Sequence, residues 1–405
     1  MDVFHDVEVE GVSDLPAKAV WDIIAPGTGV DRWFGAITAC SVEEDARYCT
    51  MIDGSELIET IVDIDHKAMS FRYTVDTHPL PAGRIASRIE VSETTPGHAR
   101  NVWGSRIEAE TEKEAQATAD ALEQLYNQGI ASLVATAKVD GLEKLFADGA
   151  RARGIDWNAV TQGDLAPIDN FHIGGAQLID DFFDQLVIRD GVSALDIGAG
   201  LGGPARQLAR RFASQVTALD ANPIMTRLGE RLSGKVRMEG QVSHVDGDAK
   251  ALPLADTSFD LAVSIHVYMF LDEPEAMFAE CYRVLKPGGM FGIFSPVSVD
   301  GNAIHYPLPW ASDRDSDGSL SHARLLSLLA QAGFEVELDY DASKEALDWF
   351  DRSGLAISPA DRDAPPYGIG IVAGPRFPEM FDNVRRNLAD GSIGLRMIRA
   401  VRPAG

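Results

Sequence analysis

The sequence predicts two modules in tandem: an α+β unit whose antiparallel sheet grips one long helix, then an α/β unit with a doubly wound parallel sheet. Three observations carry this. Ala194-Leu195-Asp196-Ile197 reads as a short buried strand that breaks into the turn Gly198-Ala199-Gly200-Leu201-Gly202-Gly203, with a helix starting near Pro204. Well before it, a run of strand-like stretches gives way to Ala115, Ala119, Leu122, Tyr126, Ile130, Leu133 and Ala137, which share one helical face. Between the two, residues 148–170 lack long periodicity and carry the breakers Gly149, Gly154, Gly163 and Pro167. The boundary is therefore expected at 149/150, giving modules 1–149 and 150–405.

The chain has 405 residues, enough for two or three domains with ample cores. Its formal charge of −26 argues against nucleic acid as a partner, because phosphate would be repelled. No apolar run is long enough to span a membrane. The opening Met1-Asp2-Val3-Phe4-His5-Asp6 lacks the basic start and apolar core of a signal peptide, so a cytoplasmic location is expected. The three cysteines, Cys40, Cys49 and Cys281, have no metal-ligand spacing, and neither a metal nor a disulfide framework is expected. Cys281 falls on a predicted helix as a small buried hydrophobe.

In the first module, residues 4–10 alternate as a strand does, and Pro16 opens a short helix through Ile24. Strand-like stretches follow near 36–42, 46–52, 56–64, 68–76, 84–92 and 100–110, with Asp53-Gly54 as a two-residue hairpin turn. His66, His78 and His98 read as turn or surface residues, and Trp33 and Trp103 as core or pocket wall. Val20-Trp21, Arg32-Trp33, Asp53-Gly54 with Glu59 and Asp65, Tyr73, Pro79-Leu80-Pro81 and Trp103 make residues 3–145 resemble the SRPBCC superfamily of polyketide cyclase and START-like domains. That resemblance implies a helix-grip fold around an apolar cavity. Its expected role is to shape a substrate pocket, to dimerise the chain, or to bind a regulatory ligand.

In the second module, Asn170-Phe171-His172-Ile173-Gly174-Gly175 leads into a helix before the central strand. Gly198, Gly200 and Gly203 fit a dinucleotide pattern, but Asp196 before them and the extra Gly202 argue against a nicotinamide cofactor. The next strand, 215–219, ends at Asp220, whose two carboxylate oxygens suit a ribose diol. Ala221 and Asn222 follow, with Asn222 or Asp220 able to cap the next helix. A third strand reaches Asp246-Gly247-Asp248-Ala249. A fourth, 261–265, delivers His266, Val267, Tyr268 and Met269 to its C-terminal end, where the ligand crevice of such sheets lies. Leu285-Lys286-Pro287-Gly288-Gly289 is expected to end a helix and launch the fifth strand.

Taken together these motifs resemble class I S-adenosylmethionine (SAM) dependent methyltransferases, with a Rossmann-like fold. The entry motif at His172 and the ending near 394–400 resemble the sarcosine/dimethylglycine type. The resemblance implies SAM as cofactor, held by Asp196, Gly198, Gly200, Gly202, Asp220, Ala221, Asn222, Asp248, Ala249 and His266. It implies an acceptor site at His172, Tyr268, Met269 and Trp310. His266 is the candidate general base and Tyr268 the candidate orienting residue. The lead expectation is N-methylation of a glycine-like amine. The alternatives are S-, O- or C-methylation of a specialised metabolite, or SAM binding without catalysis. The expected partner is a small-molecule acceptor; homo-oligomerisation stays open.

Overall fold

The computed structural model describes residues 3–170, 172–299, 301–353 and 366–404. The chain forms two compact units, Met1–Gly141 and Leu142–Gly405.

The first unit runs β1 (Val3–Ser13), α1 (Ala17–Ile24), β2 (Ile37–Glu43), β3 (Ala46–Met51), β4 (Glu56–Asp65), β5 (Ser70–Thr77), β6 (Arg84–Thr95), β7 (His98–Ala109) and α2 (Glu112–Ala152). Each strand stands where its alternation put it. The sheet order is β1-β7-β6-β5-β4-β3-β2, antiparallel throughout. All seven residues of the predicted helical face are buried. A Cβ on Gly129 of α2 would lie 2.5 Å from the Trp103 ring, so only glycine lets the helix pack that close to β7.

Two details differ from the sequence reading. The turn between β3 and β4 is longer than two residues: it takes in 52–55, with the Ser55 N–H donating to Asp53 Oδ1 at 2.9 Å. The long helix also does not stop before the predicted boundary. It carries Gly141 and Gly149 in its interior, each worth about 1 kcal/mol of lost propensity. Burial of Val139, Phe146 and Ala150 outweighs that, and the division between units falls inside the helix rather than at 149/150.

The second unit continues with α3 (Gln162–Asp169), α4 (Gly175–Leu186), β8 (Ser193–Ile197), α5 (Gly203–Phe212), β9 (Gln215–Asp220), α6 (Pro223–Lys235), β10 (Val242–Asp246) and β11 (Phe259–Ile265). Then come α7 (Pro274–Val284), β12 (Leu285–Ser298), α8 (His322–Gln331), β13 (Glu335–Asp341), α9 (Ser343–Ser353), α10 (Gly370–Ala373), α11 (Phe377–Asp390) and β14 (Ile393–Val401). The sheet order is β10-β9-β8-β11-β12-β14-β13, with β14 antiparallel to both neighbours and the other pairs parallel. Strand order reverses between β8 and β11, which opens a crevice beyond their C-terminal ends. Residues 194–197 of β8 are buried on both faces, as a central parallel strand requires.

The stretch 285–289 belongs to β12 rather than to a helix end, because α7 stops at Val284. Pro287 favours extended backbone at Lys286 before it. Cys281 is fully buried on α7, as expected. Among the described residues no helix is long and apolar enough to cross a membrane.

Candidate functional site

The glycine turn builds one wall of a cleft at the strand-order reversal. Gly198 leaves β8 at φ +69°, and its N–H and that of Ala199 donate to Leu219 O at 2.8 and 3.0 Å. A Cβ on Gly198 would sit 2.5 Å from Val267 Cγ2, so this position tolerates no side chain. Gly200 donates to Asp220 Oδ2 at 2.8 Å, and the Asn222 N–H donates to Asp220 Oδ1 at 2.9 Å. Each oxygen keeps a second lone pair. The turn and the acidic strand end thus hold one another in place.

Asp196 is buried, and its Oδ2 has no protein partner. Burial, then repulsion from Asp220, pushes its carboxyl up to about 8. Asp169 lies at the end of α3, in a fully buried ion pair with Arg206 at 2.7 Å. Arg206 also reaches Gln162 and Ser233, so it pins α3 to the start of α5.

The two histidines differ in what they have left to offer. His266 sits at φ +56°, an uncommon conformation for a residue with a side chain. Its Nε2 accepts from the Ile173 N–H at 3.3 Å, which makes Nδ1 the protonated nitrogen, donating to Phe294 O at 3.1 Å. Both ring nitrogens are therefore engaged. His172 is arranged otherwise. Asn170 Nδ2 donates to Ala166 O, which turns Asn170 Oδ1 toward His172 Nε2 at 3.1 Å. His172 Nε2 must then carry the proton, and Nδ1 is a buried lone pair with no partner. Burial pulls His172 down to about 4 and His266 down to about 3, so both are neutral at pH 7.

The cleft holds about 1510 Å³ with its open mouth. Of the residues expected to bind cofactor or acceptor, Asp196, Gly198, Gly200, Asp220, Ala221, Asp248, Ala249, His172 and His266 line it together. Five do not. Gly202 caps α5 at φ +76°, with His244 against it. Asn222 caps α6 by accepting from the Ile224 N–H at 3.0 Å. Tyr268 is fully buried and donates its hydroxyl to Pro296 O, and Met269 is 2% exposed. A single 3₁₀ turn at Tyr268–Phe270 rotates these two inward and presents Phe270 to the cleft, 61% exposed. Trp310 is also buried, and its indole N–H donates to Ser319 Oγ at 2.9 Å and Asp317 Oδ1 at 3.2 Å. It anchors a loop, while its neighbour Pro309 lines the cleft. Phe171 lies outside the described residues.

The sequence reading missed Asp169 and the outer wall of Met225, Phe270, Leu271, Ile369, Phe377 and Phe381. Asp169 directly precedes the motif starting at Asn170, so its position was the available signal. No lysine or arginine occurs among the described residues lining the cleft.

The first unit has its own cavity, of about 960 Å³ with its mouth. Trp33, Phe71, Trp103 and Tyr126 line it, and so does His78, which is half-buried rather than a surface residue. Arg47 and Glu59 form a buried ion pair at 2.6 Å in its wall.

Residues 195–293 match the family model for a methyltransferase domain, and residues 5–138 match that for polyketide cyclase / dehydrase and lipid transport. Among curated proteins, a sterol 24-C-methyltransferase of Yarrowia lipolytica is 29% identical over 167 residues, covering 40% of this chain and 44% of the relative. One from Eremothecium gossypii is 33% identical over 162 residues, covering 38% and 43%. The chain spans less than half the length of these relatives. The solved [4+2]-cyclase SpnF is 24% identical, covering 56% of this chain and 81% of its own, with a TM-score of 0.44. The chain thus joins a polyketide cyclase-like domain to a methyltransferase domain. The latter's cofactor is SAM, and the residues present fit it: Asp220 has two free lone pairs for a diol, and Asp196 has an unpartnered oxygen for a cation.

Proposed function

From the methyltransferase domain and its cleft, we propose that this chain transfers a methyl group from SAM to a carbon of an apolar small molecule. The observation that carries the reading is the outer wall of the cleft. It is built from Phe270, Leu271, Ile369, Phe377 and Phe381, with no basic side chain among the described lining residues. A glycine-like acceptor would bring a carboxylate into a cleft that already holds Asp220 and Asp248 and offers no basic side chain among its described lining residues. That contact is unfavourable, since an unpaired charge in such a site is costly. The apolar acceptor agrees with the named activity of the sterol 24-C-methyltransferase relatives, and the expectation of a glycine-like amine gives way to it.

SAM, when bound, supplies an electrophilic methyl carbon on a sulfonium. The chain's own residues do the rest. Asp220 would hold the ribose hydroxyls, the Ala249 backbone and Asp248 would hold the adenine, and Asp196 would face the positive end. The aromatic wall positions the acceptor and excludes water, and placement of the reacting atoms supplies much of the rate. Adding a methyl to an unsaturated carbon requires that a proton leave. Of the two histidines lining the cleft, His172 is the one with a free ring nitrogen, Nδ1, kept in that tautomer by Asn170. His266, with both nitrogens engaged, positions Ile173 and is not the base.

For the first unit we propose an apolar ligand in its cavity, supported by the tryptophan-lined wall and the domain match.

The function is tested with methyl-labelled SAM and two acceptor sets, one of sterols and other apolar alkenes and one of glycine, sarcosine and dimethylglycine. Label in the apolar set supports the reading. Label confined to the amines overturns it.

A further inference from the structure

Cys40 on β2 and Cys49 on β3 are direct partners in the antiparallel register. Residues so paired have Cα atoms about 4.5 or 5.5 Å apart, and both spacings lie within the range that a disulfide bridges. Their sulfurs are in contact at 2.6 Å. Strand β2 is the edge of its sheet, bonded only to β3. Cys40 is half-exposed, whereas Cys49 is buried and lines the cavity of the first unit. The third cysteine, Cys281, is fully buried in the other unit.

We propose that Cys40 and Cys49 are an oxidisable dithiol, which a small-molecule disulfide such as oxidised glutathione converts into an intramolecular disulfide. Cys40 reacts first because solvent reaches it. Its thiolate, having given its proton to water, attacks one sulfur of the oxidant. The oxidant's S–S bond breaks, and its other half leaves as a thiolate that takes up a proton. Cys49 then loses its proton and attacks the Cys40 sulfur, expelling the second small thiol. Two protein thiols are oxidised and one small disulfide is reduced to two thiols.

Burial holds the Cys49 thiol well above its ordinary range, with Cys40 and the Glu59 carboxylate adding to the effect. Cys49 is thus inert alone and becomes reactive when a mixed disulfide on Cys40 places an electrophilic sulfur against it. The bond ties the edge strand to its neighbour on the cavity wall.

The test uses the full chain in graded ratios of oxidised to reduced glutathione. Acid quenching, alkylation and peptide mass spectrometry follow. The expected product is two hydrogens lighter, with the Cys40 and Cys49 peptides linked and Cys281 alkylated only after unfolding. Cys49→Ser should stop at a glutathione adduct on Cys40, and Cys40→Ser should leave Cys49 unmodified. The proposal is overturned if wild-type chain accumulates the Cys40 adduct with Cys49 free. It is equally overturned if both thiols stay free at the ratio that fully modifies Cys40 in the Cys49→Ser chain.

Discussion

Replacing Asp220 with alanine removes the contact proposed to hold the SAM ribose. In the structure each carboxylate oxygen accepts one backbone N–H, from Gly200 at 2.8 Å and from Asn222 at 2.9 Å. One lone pair remains on each, which suits two neighbouring ribose hydroxyls. A hydrogen bond to a charged group contributes about 1.5–3 kcal/mol, so losing two weakens SAM by at least about 3 kcal/mol, or about 150-fold in Kd. Asp220→Asn keeps one oxygen and should lose about 1.5 kcal/mol, near tenfold. The same loss should appear for the thioether product, because the ribose is common to both. Stability should fall by only about 1 kcal/mol, since Asp220 is half-buried and water replaces the lost acceptor. Calorimetric titration of SAM into wild type and both variants, with melting curves alongside, reads all of this. An alanine variant that binds SAM within threefold of wild type would refute the ribose assignment.

Four further residues give outcomes that follow from the same geometry. Asp196, with its carboxyl near 8, is mostly protonated at pH 7 in the free cleft, and a cation should favour its ionised form. SAM affinity should therefore rise with pH between about 6 and 8 and then level, with a proton released at pH 7. Titrations in two buffers of different ionisation enthalpy check this, and equal apparent heats would contradict it. The sign for stability is opposite: the raised Asp196 favours the fold below about pH 4 and loses that contribution as pH rises toward 8. Gly198→Ala should cost about 1–2 kcal/mol for the left-handed backbone and about 1–3 kcal/mol for the clash with Val267. Val267→Ala should restore only the second part in a urea-denaturation cycle, and strictly additive losses would refute the clash. His172→Gln should cut turnover by about 100-fold or more with SAM affinity held within threefold, as loss of a proton acceptor does. His266→Gln should weaken SAM binding and turnover together, and the reverse pattern would return the base to His266.

The glycine-turn half of the cleft was legible because it is local. Asp196, Gly198, Gly200, Asp220, Asp248 and Ala249 sit at strand ends, and strand ends can be found from hydrophobic runs and glycines. The strands of the first unit were legible for a similar reason: alternation marks a sheet with one wet face. Tyr268, Met269 and Trp310 were misplaced because their direction depends on a 3₁₀ turn and on a loop's hydrogen bonds, not on spacing. We propose His172 rather than His266 as the base on lone-pair ownership, which is set by Ile173, Phe294 and Asn170, residues that come together only in the fold. The outer wall of Ile369, Phe377 and Phe381 comes from a segment far along the chain, and no local pattern ties it to the glycine turn. The helix through Gly141 and Gly149 shows the same limit in reverse, with burial overriding two local breakers.

The proposed reaction moves a methyl group from SAM to carbon. The most direct measurement gives the full chain SAM carrying a ¹³C-methyl group, with the apolar acceptor set, and reads the labelled methyl of the product by carbon NMR. The expected result is a labelled methyl resonance at the chemical shift of a methyl on carbon, with release of the SAM thioether in equal amount. A labelled methyl on nitrogen, oxygen or sulfur would contradict it.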